Sequence, residues 1–320
     1  MLHDTKLFRG LGTALVCPFL PDGAIDYASL GRLVDFLVDN GVDFLVVHGT
    51  TGESPCLGRN ERNDVTAYVV ERTAGRVPIM IGLGGNNTLE LGERLRELDT
   101  TGLSGVLSVV PYYNKPTQEG LYRHFAHLAE CSPLPIVLYN VPGRVGINMT
   151  PEVVARLASE YPNIIGVKEA SGYTAQTEAI SKLVQRQDFC ILSGDDNITV
   201  DHIRNGACGV ISVVGNAYPR YFGEAVHAAL DGRLNEADML VSELREVNVQ
   251  LFANGNPGGI KALLYQKGII EHNELRLPLV PVSEEVFRLM NEARQAVDAI
   301  VAARYPDSAE QALGIPYRYL

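Results

Sequence analysis

Eight short apolar runs, alternating with stretches of helical periodicity, constrain this chain more than any single motif. They are "LGTALVCPF" from Leu11, "DFLVVHG" from Asp43, "VPIMIGLG" from Val77, "GVLSVVPYY" from Gly105, "LPIVLYNVP" from Leu134, "NIIGVKEAS" from Asn163, "DFCILSGDD" from Asp188 and "GVISVVGN" from Gly209. Short runs of β-branched and aliphatic residues suit strands buried on both faces, as in a parallel sheet. Between them, segments such as 27–39 ("YASLGRLVDFLVD") and 151–159 place apolar residues at helical spacing. Polar capping residues often precede these, as Thr150 precedes Pro151. Eight such units predict an α/β protein built as a (β/α)8 TIM barrel. The rival, an open doubly wound sheet, usually carries a phosphate-binding turn. Here "GLGGNN" at 82–87 does not fit G-x-G-x-x-G.

After Asn216 the strand rhythm stops. The stretch "YFGEAVHAALDGRLNEADMLVSELREVNVQLF" reads as two helices broken near Gly232, with further helix over 256–267 and 283–302. The expected organisation is a barrel catalytic domain over 1–216, a C-terminal helical region packed on it over 217–302, and a tail of unassigned role over 303–320. A hydrophobic fraction of 46% over 320 residues supplies a substantial core. The net charge of −11 argues against a broad phosphate-binding surface, and hence against nucleic acid as a partner. The opening "MLHDTKLFRG" lacks the apolar core of a secretory signal, and no apolar run is long enough to span a membrane. Five dispersed cysteines suit a reducing compartment, so a cytoplasmic protein is expected. The histidines show no H-E-x-x-H spacing, and no metal is expected.

In a barrel of this kind the active site lies at the C-terminal ends of the strands. Polar residues gather at those ends: "HGTTGES" after the second run, "PYYNKP" after the fourth, "YNVPGR" after the fifth, Lys168 in the sixth and "SGDD" in the seventh. The turn "GTTGE", Gly49 to Glu53, offers hydroxyls and backbone N–H groups to a carboxylate, or it is a plain cap and turn. Tyr112, Tyr113 and Tyr139 either pack their rings or pass protons through a hydroxyl such as that of Thr51. Arg144 can clamp a carboxylate with two parallel hydrogen bonds, or form a surface ion pair. Lys168 has three readings: a solvated ammonium, a partner for Glu169, or an imine-forming nucleophile whose amine is kept neutral by apolar burial. If strand alternation holds, Glu169 points to the opposite side and is no partner.

"GTTGE", "PYYNKPTQEGLYRHF", "YNVPGRVG", "GVKEASG", "SGDD" and "GVISV", from about Gly10 to about Pro281, resemble the dihydrodipicolinate synthase family. This family lies within the pyruvate-dependent class I aldolase and N-acetylneuraminate lyase superfamily. The resemblance implies condensation of pyruvate with L-aspartate 4-semialdehyde in lysine and diaminopimelate biosynthesis, with no cofactor beyond the covalent imine. It implies that Lys168 is the Schiff-base lysine and that Thr50 and Thr51 hold the pyruvate carboxylate. Tyr139 is the implied proton donor and acceptor, linked to Thr51 and to Tyr113, the latter entering a neighbouring subunit's site. Arg144 is expected to receive the carboxylate of the aldehyde substrate, and Gly194 and Ile211 to line the site with backbone. Relatives acting on N-acetylneuraminate or 2-keto-3-deoxy sugar acids share the lysine and tyrosine; Arg144 and the paired threonines favour the synthase. A barrel kept only to bind a small molecule is the non-catalytic alternative.

The resemblance also implies a homotetramer, a dimer of dimers, and weak or partial feedback inhibition by lysine. Ser54, Asn86, Glu90 and Tyr112 match residue types of lysine-sensitive members. Arg59 and Arg62 depart from the histidines usual there.

Overall fold

The computed structural model describes residues 5–306. Its strands are β1 Gly10–Ala14, β2 Phe44–Val47, β3 Ile79–Gly82, β4 Gly105–Val109, β5 Ile136–Asn140, β6 Ile164–Glu169, β7 Cys190–Ser193 and β8 Gly209–Ser212. They pair in sequence order, every pair parallel, and β8 returns to β1 to close the barrel. All eight apolar runs therefore supply a strand, as their length and β-branched content predict.

Helices follow the strands for local reasons. In the helix Tyr27–Asp39 the Asp26 carboxylate accepts a hydrogen bond from the Ser29 N–H, and Leu30, Leu33, Val34 and Leu37 form the buried stripe. That spacing sets one face onto the barrel, and each buried leucine contributes about 1.5–3 kcal/mol. The helix Pro151–Glu160 starts differently. Thr150 occupies the cap position with an extended backbone, but its side chain bonds no helix N–H. Proline at the first helical position already removes one donor that would need a cap.

The helix Pro219–Leu230 packs on β1 and β8 and so completes the ring beyond residue 216. The stretch expected as two helices forms three: Pro219–Leu230, Leu234–Glu243 and Arg245–Ala253. The extra break falls at the buried Leu244, whose N–H turns back to the Val241 carbonyl. No glycine or proline marks it, so the periodicity runs on where the helix stops. The helix Gly258–Gln266 then packs against Arg245–Ala253 and the last helix, Glu284–Arg304. Gly259 permits that approach, because a Cβ there would stand 2.3 Å from the Leu251 carbonyl oxygen. The last helix continues two residues past Ala302, and 307–320 of the expected tail lie outside the described residues. Among the described residues, no helix is long and apolar enough to cross a membrane.

Candidate active site

A cavity of about 250 Å³ opens at the C-terminal end of the barrel. Thr50, Thr51, Tyr139, Arg144, Lys168, Gly194 and Ile211 all line it. The register between β5 and β6 sets Tyr139 opposite Lys168, so both side chains leave the sheet on one face. The Lys168 ammonium nitrogen lies 4.5 Å from the centre of the Tyr139 ring, and the lysine is only 7% exposed. The lysine therefore turns into the cavity and does not extend over the protein surface.

Glu169 turns to the other side of β6, as alternation requires. Its carboxylate accepts from Asn140 Nδ2 at 2.9 Å, Gln176 Nε2 at 2.7 Å and the Ser171 N–H at 2.7 Å. Burial holds its pKa above the ordinary carboxylate value in spite of these bonds. Lys168 is left to the cavity.

The turn after β2 is a single 3-10 turn, Thr50–Gly52, closed by Glu53 in a left-handed conformation. Thr51 is buried, and its hydroxyl oxygen lies 2.9 Å from Asn256 Nδ2. Among the described residues no hydrogen bond joins Tyr139 to Thr51 or to Tyr113, so the expected relay is not formed within this single chain. On the opposite wall, Gly194 leaves room for the lysine, since a Cβ there would stand 2.5 Å from Ala170 Cβ and 3.0 Å from Lys168 Cε. Beneath Ile211 the buried Asp196 accepts from the N–H groups of Val213 and Val214 at 3.0 and 2.8 Å, fixing the chain after β8. Burial pushes that carboxyl up to about 6. Arg144 projects from the short helix Pro142–Val145 at the exposed mouth, with no salt bridge among the described residues. The site thus combines a buried amine, a phenol, hydroxyls and a free guanidinium around one small space.

Tyr113 is not brought to this cavity. It is 91% exposed on the loop after β4, with a positive φ of 69°. The four residues matched to lysine-sensitive enzymes, Ser54, Asn86, Glu90 and Tyr112, and the two that depart from them, Arg59 and Arg62, all lie outside the cavity. Asn86 and Tyr112 exchange hydrogen bonds, Asn86 Nδ2 to the Tyr112 carbonyl at 2.8 Å and the Tyr112 N–H to Asn86 Oδ1 at 3.0 Å. Arg59 pairs with Glu97 at 2.7 Å, and the Arg62 carbonyl stands 2.9 Å from His48 Nε2. Arg94 joins this group. Burial lowers its pKa, and Arg62, Glu90 and Arg59 are near enough to act on it electrostatically. Ser54 begins the half-turn that follows Glu53.

Phe252, from the helix Arg245–Ala253, and Asn256, from the turn that joins it to the helix Gly258–Gln266, also line the cavity, as does Asp195. Sequence reasoning missed the first two. The "NP" dipeptide at Asn256 is the only local signal, and it reads as a turn. Among the described residues, no group of three or more His, Cys, Asp or Glu is placed to hold a metal ion.

This geometry has known counterparts. The chain is 48% identical over 296 residues to the 4-hydroxy-tetrahydrodipicolinate synthase of Porphyromonas gingivalis, covering 92% of this chain and 99% of that one. The crystal structure of dihydrodipicolinate synthase from Thermotoga maritima superposes with a TM-score of 0.88 at 41% identity, covering 91% and 99% of the two chains. The synthase from Cyanidioschyzon merolae, solved with lysine bound, gives 0.87 at 36% identity, with 91% and 99% covered. Residues 7–299 match the dihydrodipicolinate synthetase family. With a closed eight-stranded barrel, a strand-end lysine and these relatives agreeing over most of its length, the chain belongs to that family.

Proposed function

We propose that this chain condenses pyruvate with L-aspartate 4-semialdehyde, giving 4-hydroxy-tetrahydrodipicolinate for lysine and diaminopimelate biosynthesis. The observation that carries the reading is the buried Lys168 amine, set beside a phenol in a cavity that also holds a carboxylate-binding turn and an unpaired guanidinium. In the mechanism we propose, the neutral amine of Lys168 attacks the pyruvate ketone, and loss of water leaves an imine. Removal of a methyl proton gives the enamine, with the imine nitrogen as the electron sink. The enamine carbon forms a bond to the aldehyde carbon, whose oxygen takes up a proton and becomes the 4-hydroxyl. The substrate amine then attacks the imine carbon and displaces Lys168. One water leaves per turnover and the lysine returns unchanged, so neither metal nor organic cofactor is required by this chemistry.

We assign the pyruvate carboxylate to Thr50 and Thr51, the proton transfers to Tyr139 and the aldehyde carboxylate to Arg144. The closed walls of the cavity favour these transfers by limiting water. The backbone at Gly194 and Ile211 shapes the pyruvate side. Tyr113, exposed and remote from its own cavity, fits a role in a neighbour's site, and we propose a homotetramer built as a dimer of dimers. That a relative was solved with lysine bound supports a lysine site in this chain, and we assign weak or partial feedback to the face bearing Ser54, Asn86, Glu90 and Tyr112. Two departures set the strength of that feedback: Arg59 and Arg62 either oppose the ligand's ammonium, or one of them holds its carboxylate. Five free cysteines suit the cytoplasm we assign to it.

Borohydride reduction in the presence of pyruvate tests the imine, and should add the reduced pyruvate mass at Lys168. Parallel assays with aspartate semialdehyde and N-acetylmannosamine test the second substrate. Turnover of the sugar alone would replace this reading with the sugar-acid lyase.

A further inference from the structure

The carboxylate-binding turn is held from outside the barrel. Glu53 closes it with φ 51° and ψ 35°, a conformation that side chains rarely adopt without restraint. The restraint is visible. The Glu53 carboxylate lies wholly buried, with one oxygen 2.5 Å from Lys261 Nζ and the other accepting the Arg276 N–H at 3.0 Å. Lys261, equally buried, also donates to the Glu274 carbonyl at 2.7 Å. Its ammonium sits 4.0 Å from the centre of the Phe19 ring. Arg276 is itself tied down, donating to the Gly23 and Cys56 carbonyls and to Glu61. From the residue pair ahead of the same helix, Asn256 reaches the Thr51 hydroxyl. The turn ahead of the helix Gly258–Gln266 grips Thr51, and the helix and the segment after it grip Glu53.

A buried ion pair is a poor source of stability, because desolvation offsets most of its attraction, whereas its fixed geometry can specify a local conformation. We infer that Glu53 and Lys261 are positioning residues for pyruvate: the buried pair locks the left-handed residue that aims Thr50 and Thr51 into the cavity. This makes the C-terminal helices part of the active site rather than a support for it. The inference rests on the proposed pyruvate chemistry and deepens it.

Three variants test it, each read by the pyruvate concentration that half-saturates borohydride trapping, by KM for each substrate and by melting temperature. E53D keeps both charges but shortens the reach to Lys261, and its melting temperature shows that it is folded before its pyruvate binding is read. K261M leaves the carboxylate without its cation. E53Q/K261M removes both charges and relieves the buried imbalance. In E53D, half-saturating pyruvate should rise about tenfold or more while KM for aspartate semialdehyde stays within about twofold, because Arg144 holds that substrate from another loop. The double variant should melt closer to the wild type than K261M does, yet keep the raised pyruvate requirement. Wild-type pyruvate saturation in E53D, equal rises for both substrates, or full recovery of pyruvate binding in the double variant would overturn the inference. Failure of the wild-type protein itself to form any adduct would instead refute the pyruvate chemistry on which it rests.

Discussion

Lys168 and Tyr139 meet because neighbouring parallel strands hold them at matching register, and Lys168 and Glu169 separate because adjacent strand residues face opposite sides. One-residue accuracy in β6 thus decides whether the amine faces substrate or the Asn140–Gln176 polar layer. Gly194 supplies the remaining room. Substituting it by alanine places a Cβ 3.0 Å from Lys168 Cε and 2.5 Å from Ala170 Cβ. The barrel strands are not altered, so G194A should fold. We expect borohydride trapping by pyruvate to slow by about 100-fold or more, as misplacement by about 1 Å is enough to do so. Intact-mass measurement of the reduced adduct against time checks this, and a wild-type trapping rate in folded G194A would show that the glycine is not needed for access to the amine.

The strands were legible in the sequence because each is short, continuous and apolar, and the polar residues at their ends announce one rim of the barrel. Thr51, Tyr139, Arg144 and Lys168 were found that way. Asn256 and Lys261 were not, because their partners Thr51 and Glu53 lie more than 200 residues away and no local pattern encodes that approach. Lys261 reads in sequence as one polar position in an apolar helix, and only the fold reveals it as buried. A similar long-range tie closes the bottom of the barrel. His227 Nε2, in the helix Pro219–Leu230, stands 2.7 Å from Asp43 Oδ2, which also accepts the Leu11 N–H at 2.6 Å. The hydrogen bond to Asp43 raises the imidazole pKa above 6.5. The folded state therefore binds this proton more tightly than the unfolded chain does. The stabilisation is fully present below the unfolded pKa near 6.5 and is lost as pH rises through the raised folded value. Thermal melts from pH 6 to pH 9 should show a smaller alkaline decline in H227Q than in the wild type. Parallel curves for the two proteins would remove this pair from the stability profile. The site is half-exposed, so the difference should be modest.

At the scale of the whole molecule, the single chain does not by itself join the groups to which proton transfer is assigned in the proposed mechanism. Tyr139 has no hydroxyl partner in Thr51, and Tyr113 stands exposed on a loop that cannot serve its own cavity as folded. An exposed tyrosine on a left-handed residue is a costly arrangement for one chain alone, and it becomes intelligible if a second copy receives the ring. Complementation separates action within a chain from action between chains. On the proposed mechanism K168A lacks the nucleophile and Y113F lacks the phenol, so each variant alone should be nearly inactive. When the two are mixed, dissociated and reassembled, a mixed dimer pairs the intact Lys168 of one subunit with the intact Tyr113 of the other. Half the dimers are then mixed and each holds one restored site, giving about a quarter of wild-type activity if the tyrosine acts in trans. Tyrosine acting within its own chain would yield no recovery at any mixing ratio. Analytical ultracentrifugation of the same mixtures shows whether the species that regains activity is a dimer or a tetramer.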